Sequence, residues 1–365
     1  MRLPICLAAL FAVSVAAASA GAVDTVAAKR AAILDYLRQL PGERKTLAGV
    51  QVNEYEVYIT CTSADRLFAM TGRRPAILGL ELMNSIAYPP YPAYLVDRAL
   101  TQTARGGLVT MSWHARNPVE VCPRGEYYEC AKKPMDEATL QAVLSPGTPE
   151  HRLWRIDVDA MAKVLRRLQR KGVVVLFRPY HEMNGDWFWW GRKAGLPRLW
   201  DALYDELAIR KKLDNLIWVW SVDREAPDAK TYFPLRHRPD VVGTDMYEPD
   251  QDTPKYAAAY ANLAPLAGFA PFAITETGLV PSAAVMDAVN PAWTLLWGDM
   301  LNVNWTWNGD CPTCNKPEQV KAFFKLERIV TLEGMPAGFK HIVAAGVVNP
   351  HPLHKPNPIC PMKLR

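Results

Sequence analysis

The sequence predicts a single-domain (β/α)8 TIM barrel, and three observations lead to this prediction. Eight apolar, strand-like runs alternate with segments of helical periodicity along the 365 residues. No linker, internal repeat or low-complexity tract divides the chain. Half of the residues are hydrophobic, which is enough for one large core. A barrel of this class commonly exceeds about 200 residues as one domain, so the length also fits.

The first 20 residues have the composition of a secretory signal peptide. The positive charge of Arg2 precedes a mostly apolar run from Leu3 to Ala17, and Ala18-Ser19-Ala20 form a cleavage site of the A-x-A type. This run is short for a membrane span, which needs about 20 residues, so cleavage after Ala20 is favoured over an uncleaved anchor. We therefore expect a secreted, extracellular protein with a catalytic domain at residues 21–365.

The predicted strands are short apolar runs of the kind buried in parallel sheets. In chain order they are 46–50, 76–80, 107–113, 173–177, 216–220, 241–245, 271–275 and 300–305. Helices between them favour a closed barrel. A doubly wound sheet is the alternative, but no glycine-rich nucleotide-binding turn follows the first strand.

Helical periodicity is clearest in two segments between these strands. The apolar faces consist of Val158, Met161, Leu165 and Leu168 in one segment, and of Leu199, Leu203 and Leu207 in the other. The longest interruption, residues 114–155, follows the third strand. We expect it to be an ordered surface loop that covers one side of the cleft.

Charge and cysteine content restrict the partners and the compartment. The net charge of +5 is mild and the basic residues are scattered, so nucleic acid is not an expected partner. No stretch after the expected signal peptide is long and apolar enough to cross a bilayer, so a membrane is not expected either. Cys6 leaves with the signal peptide, and the six remaining cysteines favour disulfides in an exported chain. The simplest pairs are Cys122–Cys130, Cys311–Cys314 and Cys61–Cys360, although fifteen connectivities are possible.

The most informative segment is residues 178–191, Arg-Pro-Tyr-His-Glu-Met-Asn-Gly-Asp-Trp-Phe-Trp-Trp-Gly. It places His181 and Glu182 at the end of a buried strand, directly before three tryptophans. A second glutamate, Glu276, follows the seventh strand in a matching position. Carboxylates transfer protons, and flat aromatic faces stack on sugar rings. Two carboxylates at two strand ends beside an aromatic wall suggest glycoside hydrolysis.

Other chemically active residues also follow predicted strands, where barrel enzymes build their sites. His114 follows the third strand, Tyr247 the sixth, and Trp305 and Trp307 the eighth. The motifs involved are Ser112-Trp113-His114, residues 178–185, residues 187–191 and Thr275-Glu276-Thr277-Gly278. With these motifs the chain resembles glycoside hydrolase family 26, whose best-known members are secreted β-mannanases. The strand order extends the resemblance over nearly the whole expected mature chain.

The resemblance implies a retaining endo-β-1,4-mannanase that acts on mannan, galactomannan or glucomannan without a cofactor. Glu182 is then the general acid/base and Glu276 the nucleophile, with their carboxyl groups about 5–5.5 Å apart. Tyr247 is expected to donate a hydrogen bond to Glu276. His181 is expected beside the sugar 2-hydroxyl, and His114 either braces this cluster or contacts the same sugar.

The aromatic residues are expected to hold the sugar at the point of cleavage. Trp187 resembles the family's tryptophan near that point, and either Trp305 or Trp307 is expected to form the floor under the sugar. Selectivity for mannose is expected around His181 and Trp187, because mannose differs from glucose by its axial 2-hydroxyl.

Three alternatives remain open at this stage. One is another retaining activity of the family, on β-glucan or β-1,3-xylan. Another is a carbohydrate-binding barrel without activity, which would be expected to lack one carboxylate. The third is a metal site built from His114, His181, Glu182 and Glu276, but Gly185 breaks the His-Glu-x-x-His pattern. We expect no metal, a β-mannan substrate and a monomer.

Overall fold

The computed structural model describes residues 25–83, 90–249, 251, 253–301, 313–355 and 360. The expected signal peptide and three residues singled out above, Trp305, Trp307 and Cys311, lie outside this part of the chain. Within it, none of the helices combines the length and the apolar character that a membrane span requires.

Eight parallel strands close into a barrel, which confirms the predicted fold. They are β1 (Thr46–Gln51), β2 (Ile77–Glu81), β3 (Leu108–Trp113), β4 (Val175–Pro179), β5 (Leu216–Asp223), β6 (Val241–Met246), β7 (Phe272–Thr277) and β8 (Trp293–Leu296). Each strand pairs in parallel with the next, and β8 returns to pair with β1. A two-residue strand, β9 (Ile329–Val330), pairs in parallel with the first residues of β1.

Helices surround the barrel. They are α1 (Val26–Gln39), α2 (Ser63–Thr71), α3 (Tyr91–Ala104), α4 (Tyr127–Ala131), α5 (Glu137–Val143), α6 (Pro149–Arg170), α7 (Leu196–Tyr204), α8 (Thr253–Ala267), α9 (Ala283–Val289), α10 (Pro317–Phe323) and α11 (Ala337–Ala344). The longest, α6, begins where the Thr148 hydroxyl accepts a hydrogen bond from the His151 amide and Pro149 occupies the first turn. Its predicted apolar face is buried.

Strand alternation divides the core into two layers. One apolar cluster takes residues from all eight strands, among them Leu47, Ile77, Leu176 and Trp293, and therefore fills the interior of the ring. Residues of α1 close this interior at its lower end. The other cluster packs the outer strand faces against the helices and contains Trp218 and Trp220.

The same alternation places a polar layer inside the upper end of the barrel. Above the apolar interior, β2 to β6 contribute the inward residues Glu81, Ser112, Arg178, Ser221 and Asp245. Neighbouring strands align them, because Glu81 pairs with Ser112 and Ser112 with Arg178. All five side chains are buried.

The seventh strand joins this layer through an irregularity. The register between β6 and β7 shifts after Thr244, so that Asp245 lies opposite Glu276. This β-bulge brings Glu276 into the polar layer beside Asp245, as bulges near active sites commonly re-aim a side chain.

Two sequence-based expectations about the fold are wrong. The eighth strand is Trp293–Leu296 and not residues 300–305, and Gly298–Met300 forms a 3-10 turn. A strand of four residues is too short to stand out in the sequence as a distinct apolar run. Residues 114–155 are not a plain loop, because they contain α4, α5 and the first turns of α6.

Two of the expected disulfides are present. Cys61 is bonded to Cys360 and Cys122 to Cys130, with Cα atoms 5.6 and 5.7 Å apart. The first bond joins positions 299 residues apart in sequence, whereas the second spans 8 residues. The Cys311–Cys314 pair includes a residue beyond the described ranges.

The long-range disulfide is expected to contribute more stability than the short one. In the chain-entropy model, the difference in loop length corresponds to about 3 kcal/mol. The Cys61→Ala/Cys360→Ala variant should therefore lose about that much more free energy of unfolding than Cys122→Ala/Cys130→Ala, measured by urea denaturation. Equal losses would show that loop length does not set the contribution of these bonds.

Candidate active site

A cavity of about 480 Å³ opens over the polar layer. Its lining residues come from the upper strand ends and the loops that follow them. They are Asn53, Glu54, Tyr55, Glu81, Met83, His114, Tyr128, His181, Glu182, Phe188, Tyr247, Glu276, Trp297 and Asp299. The cavity thus brings together five residues predicted from sequence: His114, His181, Glu182, Tyr247 and Glu276.

Glu182 is held by a strained piece of backbone at the end of β4. Tyr180 and Glu182 both have left-handed conformations, with φ of 48° and 53°. Such conformations cost roughly 1–3 kcal/mol each for residues other than glycine and persist only where the surroundings enforce them. Here the buried Tyr180 hydroxyl accepts a hydrogen bond from the Trp154 indole at 2.9 Å, and the Glu182 amide donates to the Ser221 carbonyl at 3.0 Å.

The environment of Glu182 favours its protonated form. Burial raises the pKa of this carboxyl well above its usual range, and the negative charges of Asp245, Glu276 and Asp223 raise it further. The Trp187 indole donates to Glu182 Oε2 at 2.7 Å, which opposes this shift and fixes the direction of the carboxyl group. A carboxylic acid that keeps its proton near neutral pH is suited to act as a general acid.

Glu276 receives hydrogen bonds on both oxygens. The Tyr247 hydroxyl donates to Oε2 at 2.5 Å, as expected from the sequence, and the Arg178 guanidinium donates to Oε1. The same guanidinium donates to Asp245 Oδ2 at 2.8 Å, and the Thr275 hydroxyl donates to Asp245 Oδ1 at 2.6 Å. These hydrogen bonds fix the orientation of the Glu276 carboxyl group.

The two predicted histidines form a hydrogen-bonded pair. His114 Nε2 lies 3.0 Å from His181 Nε2, and His114 Nδ1 lies 2.6 Å from Glu81 Oε2. These contacts fit the bracing role expected of His114, which also lines the cavity. Burial, followed by the charges of Arg178 and His114, lowers the pKa of His181 well below its usual range.

The three tryptophans after β4 have different roles. Trp187 is half-buried and bonded to Glu182. Trp189 and Trp190 are buried, and their indoles donate to the carbonyls of Ala115 and His181, both at 2.8 Å. Only Trp187 of these three therefore has a direct contact with a candidate catalytic group, while the other two fix the loop.

Several residues of the cavity were not predicted. Glu81 could have been found, because it continues the inward alternation of Ile77 and Gly79 on β2. Trp297 and Asp299 were missed because the eighth strand was placed too late in the sequence. The Tyr55 hydroxyl donates to Asp299 Oδ1, and both side chains line the cavity on the side of β1 and β8.

The polar layer is not suited to a metal ion. Among the described residues, His181, Asp245 and Glu276 have ligand atoms within 4.8 Å of one another. Arg178, however, already donates to both carboxylates and is itself buried. A divalent cation would have to displace this guanidinium or share its carboxylates with it, which electrostatic repulsion opposes.

The raised pKa of Glu182 predicts a pH-dependent cost to folding. Between its usual value of 4.5 and its raised value, the folded protein binds more protons than the unfolded chain, so stability falls as pH rises. Glu182→Gln removes this cost. The variant should exceed wild type in free energy of unfolding at pH 7, by up to about 1.4 kcal/mol per pH unit above the usual pKa. Below about pH 4 the pH-dependent gain should vanish. If the variant and wild type differ in free energy of unfolding by the same amount at pH 4 and pH 7, Glu182 does not have a raised pKa in the folded protein.

Comparisons with known proteins identify relatives of this chain. The model of glycosyl hydrolase family 26 matches residues 23–325. A mannan endo-1,4-beta-mannosidase of Thermothelomyces thermophilus is 31% identical over 319 residues, which are 83% of this chain and 60% of that protein. A mannan endo-1,4-beta-mannosidase of Bacillus subtilis is 30% identical over 263 residues, which are 67% of this chain and 70% of the Bacillus protein. This chain therefore spans less than two thirds of the Thermothelomyces relative.

A solved structure agrees with these sequence matches. The structure of GH26A from a Muricauda species superposes with a TM-score of 0.73 and 30% sequence identity. The match covers 84% of this chain and 97% of that one. The fold described above is thus shared with a protein of similar sequence.

Proposed function

Because this chain belongs to glycosyl hydrolase family 26, we propose that it is a retaining endo-β-1,4-mannanase that hydrolyses mannan, galactomannan or glucomannan. The resemblance inferred from the motifs is confirmed by the family match. The observation that carries the mechanism is the contrast between two buried carboxyl groups of one cavity. Glu182 keeps its proton because of burial, whereas Glu276 is bonded to Arg178 and Tyr247. The names of the relatives support the substrate class.

In the first step of the proposed reaction, Glu276 attacks the anomeric carbon of the sugar. The bond to the glycosidic oxygen breaks, and Glu182 donates its proton to that departing oxygen. The product is a glycosyl-enzyme ester on Glu276, together with the released part of the chain. The carboxyl groups of a retaining enzyme are about 5–5.5 Å apart, which is the separation proposed here.

In the second step, Glu182 acts as a base. Its carboxylate takes a proton from a water molecule, and the resulting hydroxide attacks the anomeric carbon from the side opposite Glu276. The ester bond breaks, Glu276 is released as a carboxylate, and Glu182 is protonated again. Two inversions leave the configuration of the sugar unchanged.

The neighbouring side chains are proposed to hold the sugar. His181 lines the cavity, and its buried Nδ1 has no hydrogen-bond partner among the described residues. A sugar hydroxyl can therefore form the missing hydrogen bond with this nitrogen. This supports the assignment of His181 to the 2-hydroxyl. The hydrogen bond from the Trp187 indole to Glu182 supports the assignment of Trp187 to the cleavage point. Trp297, at the end of β8, joins Trp305 and Trp307 as a candidate for the aromatic floor.

We also propose that the protein acts as an extracellular monomer after residues 1–20 are removed. The apolar amino-terminal run supports export, as do the two disulfides, which persist in oxidising compartments. Mass spectrometry of the protein recovered from culture medium tests this proposal. A mature chain that begins at Gly21 is expected, whereas an intact terminus in the cell pellet would contradict export.

Product release from the purified mature protein tests the activity. Galactomannan, barley β-glucan and β-1,3-xylan are supplied in parallel, with Glu182→Gln as the control. Mannooligosaccharides formed by wild type alone, with the β anomer appearing first in NMR spectra, are the expected result. Product release from another polymer would show that mannan is not the substrate. An initial α anomer would overturn the retaining mechanism. Binding without hydrolysis would indicate a carbohydrate-binding barrel.

A further inference from the structure

Glu81 is a buried carboxylate whose hydrogen-bonding positions are all used within the protein. It lies at the end of β2 with 2% of its surface exposed. Its Oε1 accepts from the amides of Met83 at 2.8 Å and His114 at 3.0 Å. Its Oε2 accepts from the Ser112 hydroxyl at 2.7 Å and faces His114 Nδ1 at 2.6 Å. Four donors on one carboxylate keep it ionised and leave little capacity for a substrate.

The contact between the two histidines restricts where their protons can lie. Glu81 holds a proton on His114 Nδ1. The two Nε2 atoms are 3.0 Å apart, so one of them must carry a proton and the other must accept it. Either His114 is an imidazolium and donates, which leaves neutral His181 with its proton on Nδ1. Or His181 donates from Nε2, which leaves its buried Nδ1 as an unpaired acceptor.

We propose that Glu81 is a positioning residue that holds His114 as an imidazolium and thereby fixes His181 as the neutral tautomer protonated on Nδ1. In this arrangement a chain of charge-assisted hydrogen bonds runs from Glu81 through His114 to His181. His181 then presents an N–H donor to a sugar hydroxyl. The role in hydrolysis rests on the function proposed above, but the protonation pattern does not.

The groups around the pair favour this distribution of charge. Those with an electrostatic effect on His114 are Glu81, Glu54, Glu276, Arg178 and His181, and the Tyr128 ring contacts it edge-on. Burial is the largest effect on His114 and lowers its pKa, but the charge and hydrogen bond of Glu81, together with the charge of Glu276, outweigh burial and raise the pKa. At His181 burial and the charge of Arg178 act in the same direction and lower the pKa.

This arrangement benefits the proposed general acid. A positive charge on His181, the residue next to Glu182, would favour the loss of the Glu182 proton. With the charge on His114 and balanced by Glu81, the ring beside Glu182 stays neutral. The backbone of His181 is held separately, because its carbonyl accepts a hydrogen bond from the Trp190 indole at 2.8 Å.

Imidazole NMR of the intact protein labelled with ¹⁵N-histidine tests the protonation pattern without any activity measurement. At pH 7 wild type should show protons on both nitrogens of His114 and on Nδ1 alone of His181, assigned with His114→Gln and His181→Gln. In Glu81→Gln, whose amide faces His114 Nδ1 as a donor, His114 should lose its Nδ1 proton. A neutral His114 in wild type, or His181 protonated on Nε2, would overturn the proposal even if the variant fails to fold.

Kinetics distinguish positioning from a purely structural role. Glu81→Gln should lower kcat/KM for mannan on the order of 10-fold to 100-fold, mostly in kcat, the scale of a misplaced catalytic group. Its pH–rate profile should gain an ionisation from His114 that wild type lacks. The matched control is Asp201→Asn, a buried carboxylate that also accepts from two backbone amides, of Arg236 and His237, away from the cavity.

The outcomes of the two experiments are separable. An unchanged pH profile in Glu81→Gln, with a loss of activity equal to that of Asp201→Asn, would reduce Glu81 to a structural residue. If wild type is inactive on every polysaccharide, the proposed function fails, and the NMR spectra still decide the protonation pattern.

Discussion

Glu276→Ala is expected to abolish hydrolysis of mannan, with a loss of kcat/KM of roughly 10⁶-fold, the scale seen when a hydrolase loses its nucleophile. The alanine has no oxygen with which to form the glycosyl ester. Added azide should restore part of the turnover on an activated aryl mannoside. Because azide then attacks from the space that Glu276 vacates, the product should be the α-glycosyl azide.

Glu206→Ala is the matched control for this prediction. Glu206 is also buried and paired with arginine, here Arg155 at 2.8 Å, but it lies after α7 and outside the cavity. It should lose stability and retain turnover. Glu276→Gln, which keeps the size of the side chain and an acceptor for Arg178, should be as inactive as the alanine variant while folding normally. Substantial activity in either Glu276 variant would remove this residue as the nucleophile.

Glu182→Ala is expected to show a loss of activity that depends on the leaving group. Mannan, whose departing sugar oxygen needs a proton, should lose about 10²-fold to 10⁴-fold in rate, the usual contribution of a general acid. An aryl mannoside with an acidic phenol needs little protonation, so formation of its glycosyl-enzyme should be nearly unaffected. Its second step still lacks a base, so a burst of phenol followed by slow turnover is expected.

Azide also distinguishes the role of Glu182 from that of Glu276. In Glu182→Ala it should attack the accumulated glycosyl-enzyme from the face opposite Glu276 and give the β-glycosyl azide. Trp187→Phe removes the indole donor to Glu182 but keeps an aromatic ring, and it should cause a smaller loss with the same stereochemistry. Equal losses on mannan and on the aryl substrate, or an α product, would exclude Glu182 as the acid/base.

The sequence determined the parts of this protein that depend on nearby residues. Alternation of short apolar runs with amphipathic segments such as 158–168 specifies strands and helices in order, and that order specifies a parallel barrel. The segment around His181 and Glu182 is contiguous, so its chemistry could be recognised without knowing its neighbours. The even cysteine number favoured disulfides, with Cys122–Cys130 as a local pair and Cys61–Cys360 as a remaining pair, but the sequence left fifteen connectivities open.

The tertiary structure decided which distant residues meet. The bond from Arg178 to Glu276 joins residues 98 positions apart, and that from His114 to Glu81 spans 33. Both depend on strand register, and at Glu276 on a β-bulge that no local pattern indicates. The four-residue β8 is likewise defined by its partners β7 and β1 and not by its own sequence.

The physical reason for this division is the range of the interactions involved. Backbone preferences and hydrophobic periodicity act over a few residues, so the sequence carries them directly. The charge states of Glu182, His114 and His181 depend on burial and on charges brought within a few ångströms from other strands. Those quantities exist only once the barrel has closed and excluded water from its polar layer.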